Sequence, residues 1–214
     1  MFIDVDIELS QIEQNRLILY IQSEVLRQIL ERLQQNRTVI EQRLRDKITE
    51  SWITSLGAHE LVFGKLRFDL GLKSDEARQA VYNIASIISK DIYFHPYKSN
   101  QETVTVNIGF IKSSYEEILA LPEASFIQTY SRNPGSKIDW LEWLLRKGDQ
   151  YEILDYHVQY VTTAHSRSGG ALMIQGGIWR IPPDWSSDHH MGNIIVRSFE
   201  GIDKFIAVEI IKVI

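Results

Sequence analysis

Ser166-Arg167-Ser168-Gly169-Gly170-Ala171-Leu172-Met173-Ile174 lies between an aromatic helical segment, Asp139-Trp140-Leu141-Glu142-Trp143-Leu144-Leu145, and the turn Trp179-Arg180-Ile181-Pro182-Pro183-Asp184-Trp185. A phosphate-binding loop needs its glycines between a strand and a helix. Here Gly169-Gly170 and Gly176-Gly177 flank a short β-prone run instead, so they read as hairpin ends in which glycine permits positive backbone angles. That reading makes the C-terminal half an antiparallel sheet. Strands are expected at Ala171 to Gln175 and Ile178 to Ile181, preceded by a long one from Tyr151 to Val161, where apolar and polar residues alternate.

Upstream, Asp139 is placed to cap a helix Trp140 to Lys147 that carries Arg146 and Lys147 in its last turn and Gly148 just beyond, as helix polarity favours. Residues 112 to 137 hold scattered Pro, Gly and polar residues, an excursion over the surface with a short helix at Ser114 to Leu121. From Thr103 to Ile111, Val104, Val106, Ile108 and Phe110 alternate with Thr105, Asn107 and Gly109, the pattern of the strand that starts the sheet.

Everything before this is helical in character. Residues 1 to 56 contain no Gly and no Pro, and Ser10-Gln11-Ile12-Glu13 has capping-box spacing. Ile18, Ile21, Val25, Leu26, Ile29, Leu30 and Leu33 recur at three and four residues, and Ile40, Leu44, Ile48 and Trp52 continue in a second register. The polar run Gln34 to Thr38 separates them, so the spacing predicts one interrupted helix or two consecutive helices ending near Gly57. Leu61 to Gly71 reads as a short helical turn, and Ser74 as the cap of a helix with Ala77, Val81, Ile84, Ala85 and Ile88 on one face that fades at Asp91. The apolar tail from His190 to Ile214 fits two helices broken near Gly201, although Ile206 to Ile214 is β-branched enough for a strand. The fold class is therefore α+β: a long N-terminal helix or helix pair and a mostly antiparallel β-sheet with packed helices. A helical region 1–91 packs with an α+β region 92–214 as one domain.

Composition narrows the chemistry. The 214 residues are 44% apolar and carry a net charge of -5, a balance that supports a core and argues against a dedicated nucleic-acid grip. No cysteine is present, which removes disulfides, thiolate metal sites and cysteine nucleophiles. An acidic opening and the lack of an apolar run of about 18 residues argue against a secretory signal or membrane span, so folding in a cytoplasm is expected.

Six histidines, His59, His95, His157, His165, His189 and His190, show no metal-ligand spacing. Ser166, Ser168 and His165 are neighbours without a nucleophile elbow around them. The acidic residues Asp139, Glu142, Asp149 and Asp155 are scattered over different elements rather than paired. No catalytic, cofactor or metal residues are assigned. Trp140, Trp143, Trp179, Trp185 and Tyr156 suit a core, a sugar-stacking platform or a contact between subunits, since aromatics dominate both cores and interface hot spots.

The order Asp139 to Leu145 with Gly148-Asp149, then Asp155-Tyr156-His157-Val158, Ser166 to Gly170 with Met173, and Trp179 to Pro183 resembles neck and head-tail joining proteins of tailed bacteriophages. Gly64-Lys65-Leu66-Arg67 and Leu70-Gly71-Leu72 resemble the helical part of the same virion proteins. The resemblance implies a structural subunit of the virion, assembled in the host cytoplasm, which forms a homo-oligomeric ring and joins portal or adaptor to tail proteins. Genomic DNA would pass through its lumen with at most transient contact, without membrane, cofactor or catalysis. Residues expected at seams are Trp140, Trp143, Arg167, Arg180, Trp185 and Arg197, with the long N-terminal helix and residues 112 to 137 against adjacent subunits. Two other readings stay open: a small enzyme acting on nucleic acid or glycan, and a regulatory adaptor whose long helix pairs with a partner helix.

Overall fold

The computed structural model describes residues 10–100, 103–109, 115–127, 135, 137–147, 152–162, 165–182, 184–185 and 192–214. Ser10 Oγ accepts the Glu13 N–H at 3.4 Å while the Glu13 carboxylate accepts the Ser10 N–H at 2.9 Å, so the capping box forms. Helix α1 spans Gln11–Gln35 and α2 spans Arg37–Ile53. The break at Asn36 falls inside the polar run. There the Arg32 carbonyl accepts both the Asn36 backbone N–H at 3.0 Å and its side-chain amide at 2.9 Å, which closes the end of α1.

Ile40, Leu44, Ile48 and Trp52 on α2 are each at most 1% exposed. They pack against α5, Ser74–Lys90, whose Ala77, Ala80, Val81, Ile84, Ala85 and Ile88 are buried. Small alanines let the helices approach, and the Trp52 indole N–H reaches the Val81 carbonyl at 2.8 Å, so the buried indole stays hydrogen-bonded. Between them lie α3, Leu56–Val62, and α4, Lys65–Asp69. Ser55 Oγ accepts the Ala58 N–H at 3.1 Å and caps α3. Ser74 does not cap α5 as expected: Lys73 occupies that position, and its N–H is taken by the Glu76 carboxylate at 3.4 Å.

The first strand comes earlier than expected. β1, Tyr93–Lys98, pairs antiparallel with β2, Val104–Gly109, placing Phe94 opposite Ile108. Pro96 is tolerated because both strands of a two-stranded ladder are edges. Phe110 and Ile111 lie outside the described residues. Helix α6, Glu116–Leu119, falls in the expected place, followed by a 3₁₀ turn, Pro122–Ala124. Ile118 and Ala124 are 3% and 5% exposed, so this part of the excursion docks into the core rather than crossing the surface. β3, Phe126–Ile127, pairs antiparallel with β4, Lys137–Ile138.

Asp139 precedes α7, Trp140–Glu142, but makes no side-chain cap; its carboxylate instead pairs with Lys137 Nζ at 2.6 Å. The chain continues as a wider π turn, Trp143–Lys147, and the predicted Gly148 stop lies outside the described residues. β5, Glu152–Gln159, and β6, Leu172–Arg180, form one long antiparallel hairpin. The two strands expected at 171–175 and 178–181 are thus a single strand. Gly176 (φ 106°) and Gly177 (φ 84°) sit inside it as a bulge: Leu154 faces Ile178 and Tyr156 faces Gln175, leaving two glycines opposite Asp155.

The tail is helical, as α8, Ile194–Arg197, and α9, Ile202–Ile211, with Gly201 at φ 78° between them. The three ladders do not merge into one sheet among the described residues, and every pairing is antiparallel. Helices from 1–91 and elements from 92–214 contribute to one buried cluster, including Trp52, Phe94, Trp140 and Ile195. The α+β class stands, with helices dominant.

Candidate functional site

The Ser166 to Gly170 segment forms the tip of the β5–β6 hairpin and docks on α4. Val161 N–H donates to Gly170 O at 3.0 Å, extending the ladder to the turn. Ser166 Oγ donates to the Ala171 carbonyl at 2.6 Å and lies 3.3 Å from Ser168 Oγ, so both hydroxyls brace the turn. Gly169 adopts φ 79°, the left-handed conformation its residue type allows. Gly170 is needed for a different reason: a Cβ there would lie 2.3 Å from the Phe68 ring. Arg67 completes the dock by donating to the Ser168 carbonyl at 3.2 Å.

Beside this tip is a cleft of about 190 Å³ with walls from Phe126, Ile138, Trp143, Val158 and Met173, and with Asp69, His165 and Arg167 on its lining. The Tyr160 hydroxyl donates to the Asp69 carboxylate at 2.5 Å. Burial pushes the Asp69 carboxyl above its ordinary range, and the Tyr160 hydrogen bond opposes that shift. Tyr160 itself is raised, first by burial and then by the carboxylate it serves. Arg167 bridges elements far apart in sequence. Its guanidinium donates to Glu76 at 2.6 Å and to the Gly71 carbonyl, and lies 3.7 Å from the Phe126 ring centroid. A charge stacked and paired in this way fastens the hairpin tip to the N-terminus of α5.

The other residues assigned to seams divide into two groups. Trp140 and Trp143 are 1% and 6% exposed. The Trp140 indole N–H donates to the Glu123 carbonyl at 2.6 Å, and Trp143 packs tilted against Trp179 with centroids 5.9 Å apart. Both indoles therefore pack into the core of the folded chain, with only an edge of Trp143 on the cleft wall, so neither stands out as an exposed anchor at a seam. Arg180 is exposed at the end of β6, and Trp185 is half-buried. Arg197 ties α8 down by donating to the Gly192 carbonyl at 3.1 Å and the Asp184 carbonyl at 2.5 Å.

His59, His95, His157 and His165 are exposed, with His157 Nδ1 2.7 Å from the Gly176 carbonyl. His189 and His190 lie outside the described residues. Among the described residues no three His, Asp or Glu side chains come together as a metal would require.

Among the described residues, α1 carries a long apolar run without cover. Residues 11–23 are exposed around the whole helix. Ile12 is 67% exposed, Leu17 46%, Ile18 52%, Leu19 56%, Tyr20 69% and Ile21 51%. The polar side helps to hold this free helix together: Arg27 pairs with Glu24 and Glu31, both at 2.5 Å. The Arg27 guanidinium, hydrogen-bonded to Glu24, lowers that carboxyl to about 2. Lower down, Leu33 is 1% exposed and Ile29 packs against the core, so α1 is rooted at one end and, among the described residues, uncovered at the other. The sequence signal for this is the unbroken run Leu17-Ile18-Leu19-Tyr20-Ile21, which no single buried face of a helix can accommodate. Among the described residues no helix is long and apolar enough to cross a membrane. Comparison with protein-family models, with curated proteins and with solved structures finds no match.

Proposed function

We propose that this chain is an architectural subunit that works through protein contacts, a neck or head-tail joining component of a tailed bacteriophage virion. The observation that carries the reading is the free half of α1. A helix that exposes aliphatic residues on every side over residues 11–23 is unfavourable in water and gains when a protein surface covers it. The braced hairpin tip supports the same reading, since its hydroxyls and Arg167 spend their bonding capacity holding the body rigid. A rigid body with a projecting helix is what a joining part requires, and the net charge of -5 suits a surface past which DNA moves without being held.

The test is incorporation. Mass spectrometry of purified particles should detect the chain at a fixed copy number, and a variant lacking residues 11–23 should fold yet be missing from particles. A chain absent from particles at every stage of assembly removes the proposal.

A further inference from the structure

We infer that the cleft beside the hairpin tip binds a small aromatic ammonium compound, a single ring with a primary amine on a short arm, and that the Asp69 carboxylate is its counter-charge. The inference is independent of the assembly reading, which makes no use of this cleft.

Volume sets the scale of the ligand. At about 190 Å³ the cleft is smaller than the roughly 300–1,000 Å³ of sites for drug-sized molecules, so a nucleotide or an oligosaccharide is too large and one ring with a short arm suits it. Phe68, Phe126 and Trp143 on the lining offer that ring offset or edge-to-face contacts, and Ile138, Val158 and Met173 make the remaining wall apolar.

Charge selects the polar end. Asp69 is 9% exposed and lines the cleft. Among the described residues its carboxylate accepts one hydrogen bond, from Tyr160 at 2.5 Å, and forms no ion pair. Lys65 acts on it only from a distance, with its ammonium over the Tyr160 ring at 5.7 Å from the centroid. A carboxylate offers about four acceptor sites, so most of this one's capacity is unused. A buried charge with so little compensation is costly, and burial accordingly raises the Asp69 carboxyl above its ordinary range. An ammonium in the cleft supplies the missing charge and up to three donors.

The cation already on the lining does not answer Asp69. Arg167 is neutralised by Glu76 at 2.6 Å, donates to the Gly71 carbonyl and lies over the Phe126 ring, so its charge is spent within the fold. A ligand carboxylate would meet Asp69 as a like charge, whereas an ammonium meets its complement.

The chain has three methionines and Met173 lines the cleft, so methyl NMR of the full-length protein reports occupancy there once Met173→Leu has assigned the signal. Phenethylammonium should shift that signal and bind with a dissociation constant on the order of 1 mM or below, in keeping with its size. Phenethyl alcohol keeps the shape without the charge, and phenylacetate reverses the charge; each should bind at least about tenfold more weakly. N-acetyl-lysine methylamide presents an ammonium on an aliphatic stem, as a partner protein's lysine would, and should also be at least about tenfold weaker because it brings no ring. Asp69→Asn retains an acceptor for Tyr160. It should weaken phenethylammonium at least about tenfold and leave phenethyl alcohol within about twofold, with helix content unchanged by circular dichroism. If this variant does not fold, the four compounds on the wild type decide the question. An unmoved Met173 signal, any comparison compound binding within about threefold of phenethylammonium or tighter, or full affinity in folded Asp69→Asn each overturns the inference.

Discussion

Gly57 on α3 offers a test in which local and tertiary effects have opposite signs. In an isolated helix, Gly→Ala stabilises by about 1 kcal/mol, because alanine restricts the unfolded chain and suits the helix. Here a Cβ at position 57 would fall 2.2 Å from Ile194 Cγ1 and 2.6 Å from its Cδ1. Ile194 is 3% exposed on α8, so it has no open space to turn into. Overpacking of this kind costs about 1–3 kcal/mol, which outweighs the helical gain. Gly57→Ala should therefore destabilise by up to about 2 kcal/mol.

Ile194→Ala should cost about 2–5 kcal/mol by itself, through lost burial and the cavity it leaves. In that background the clash is gone and Gly57→Ala should stabilise by about 1 kcal/mol. Urea unfolding of all four proteins, read as midpoints at constant slope, closes the cycle with a coupling equal to the overpacking cost, about 1–3 kcal/mol. If Gly57→Ala changes stability in the same direction in both backgrounds, the α3–α8 packing described here is wrong.

Two titratable groups should make opposite contributions as pH changes. Burial raises the Asp69 carboxyl, so its stabilising contribution is complete below its ordinary value of 3.8 and is lost as pH rises through the folded value. Asp69→Asn keeps an acceptor for the Tyr160 hydroxyl, and wild-type minus variant stability should fall as pH rises from 3.8 through the folded value; a flat difference in urea midpoints rejects the assignment. Glu209 on α9, paired with Lys212 at 2.5 Å and Arg43 on α2 at 2.7 Å, is held below its ordinary value of 4.5, first by the Lys212 hydrogen bond. Its contribution is present above pH 4.5 and lost as pH falls through the folded value, so the wild type should lose its advantage over Glu209→Gln on acidification. Equal acid sensitivity of the two proteins would show that the α2–α9 pairing adds nothing.

Local rules sufficed where a residue answers its near neighbours in the chain. The Ser10–Glu13 cap, the break at Asn36, the α2 face Ile40 to Trp52, the α5 face Ala77 to Ile88 and the Gly201 interruption all follow from spacings of three or four residues and from glycine's backbone freedom. The same local view misplaced Gly176-Gly177, because a bulge and a hairpin end both need glycine and only the opposite strand tells them apart. It likewise left open whether the tryptophans face inward.

Long-range packing made the remaining decisions. Arg167 became an internal brace because Glu76 lies 91 residues earlier in the chain, and Gly170 is fixed by the Phe68 ring rather than by its own φ. Trp140 and Trp143 were claimed by the core, while the apolar run Leu17 to Ile21 was left uncovered. Periodicity reports that a side chain is apolar and which face it shares; which surface covers it depends on where distant segments arrive, and that is set by the packing of the whole chain.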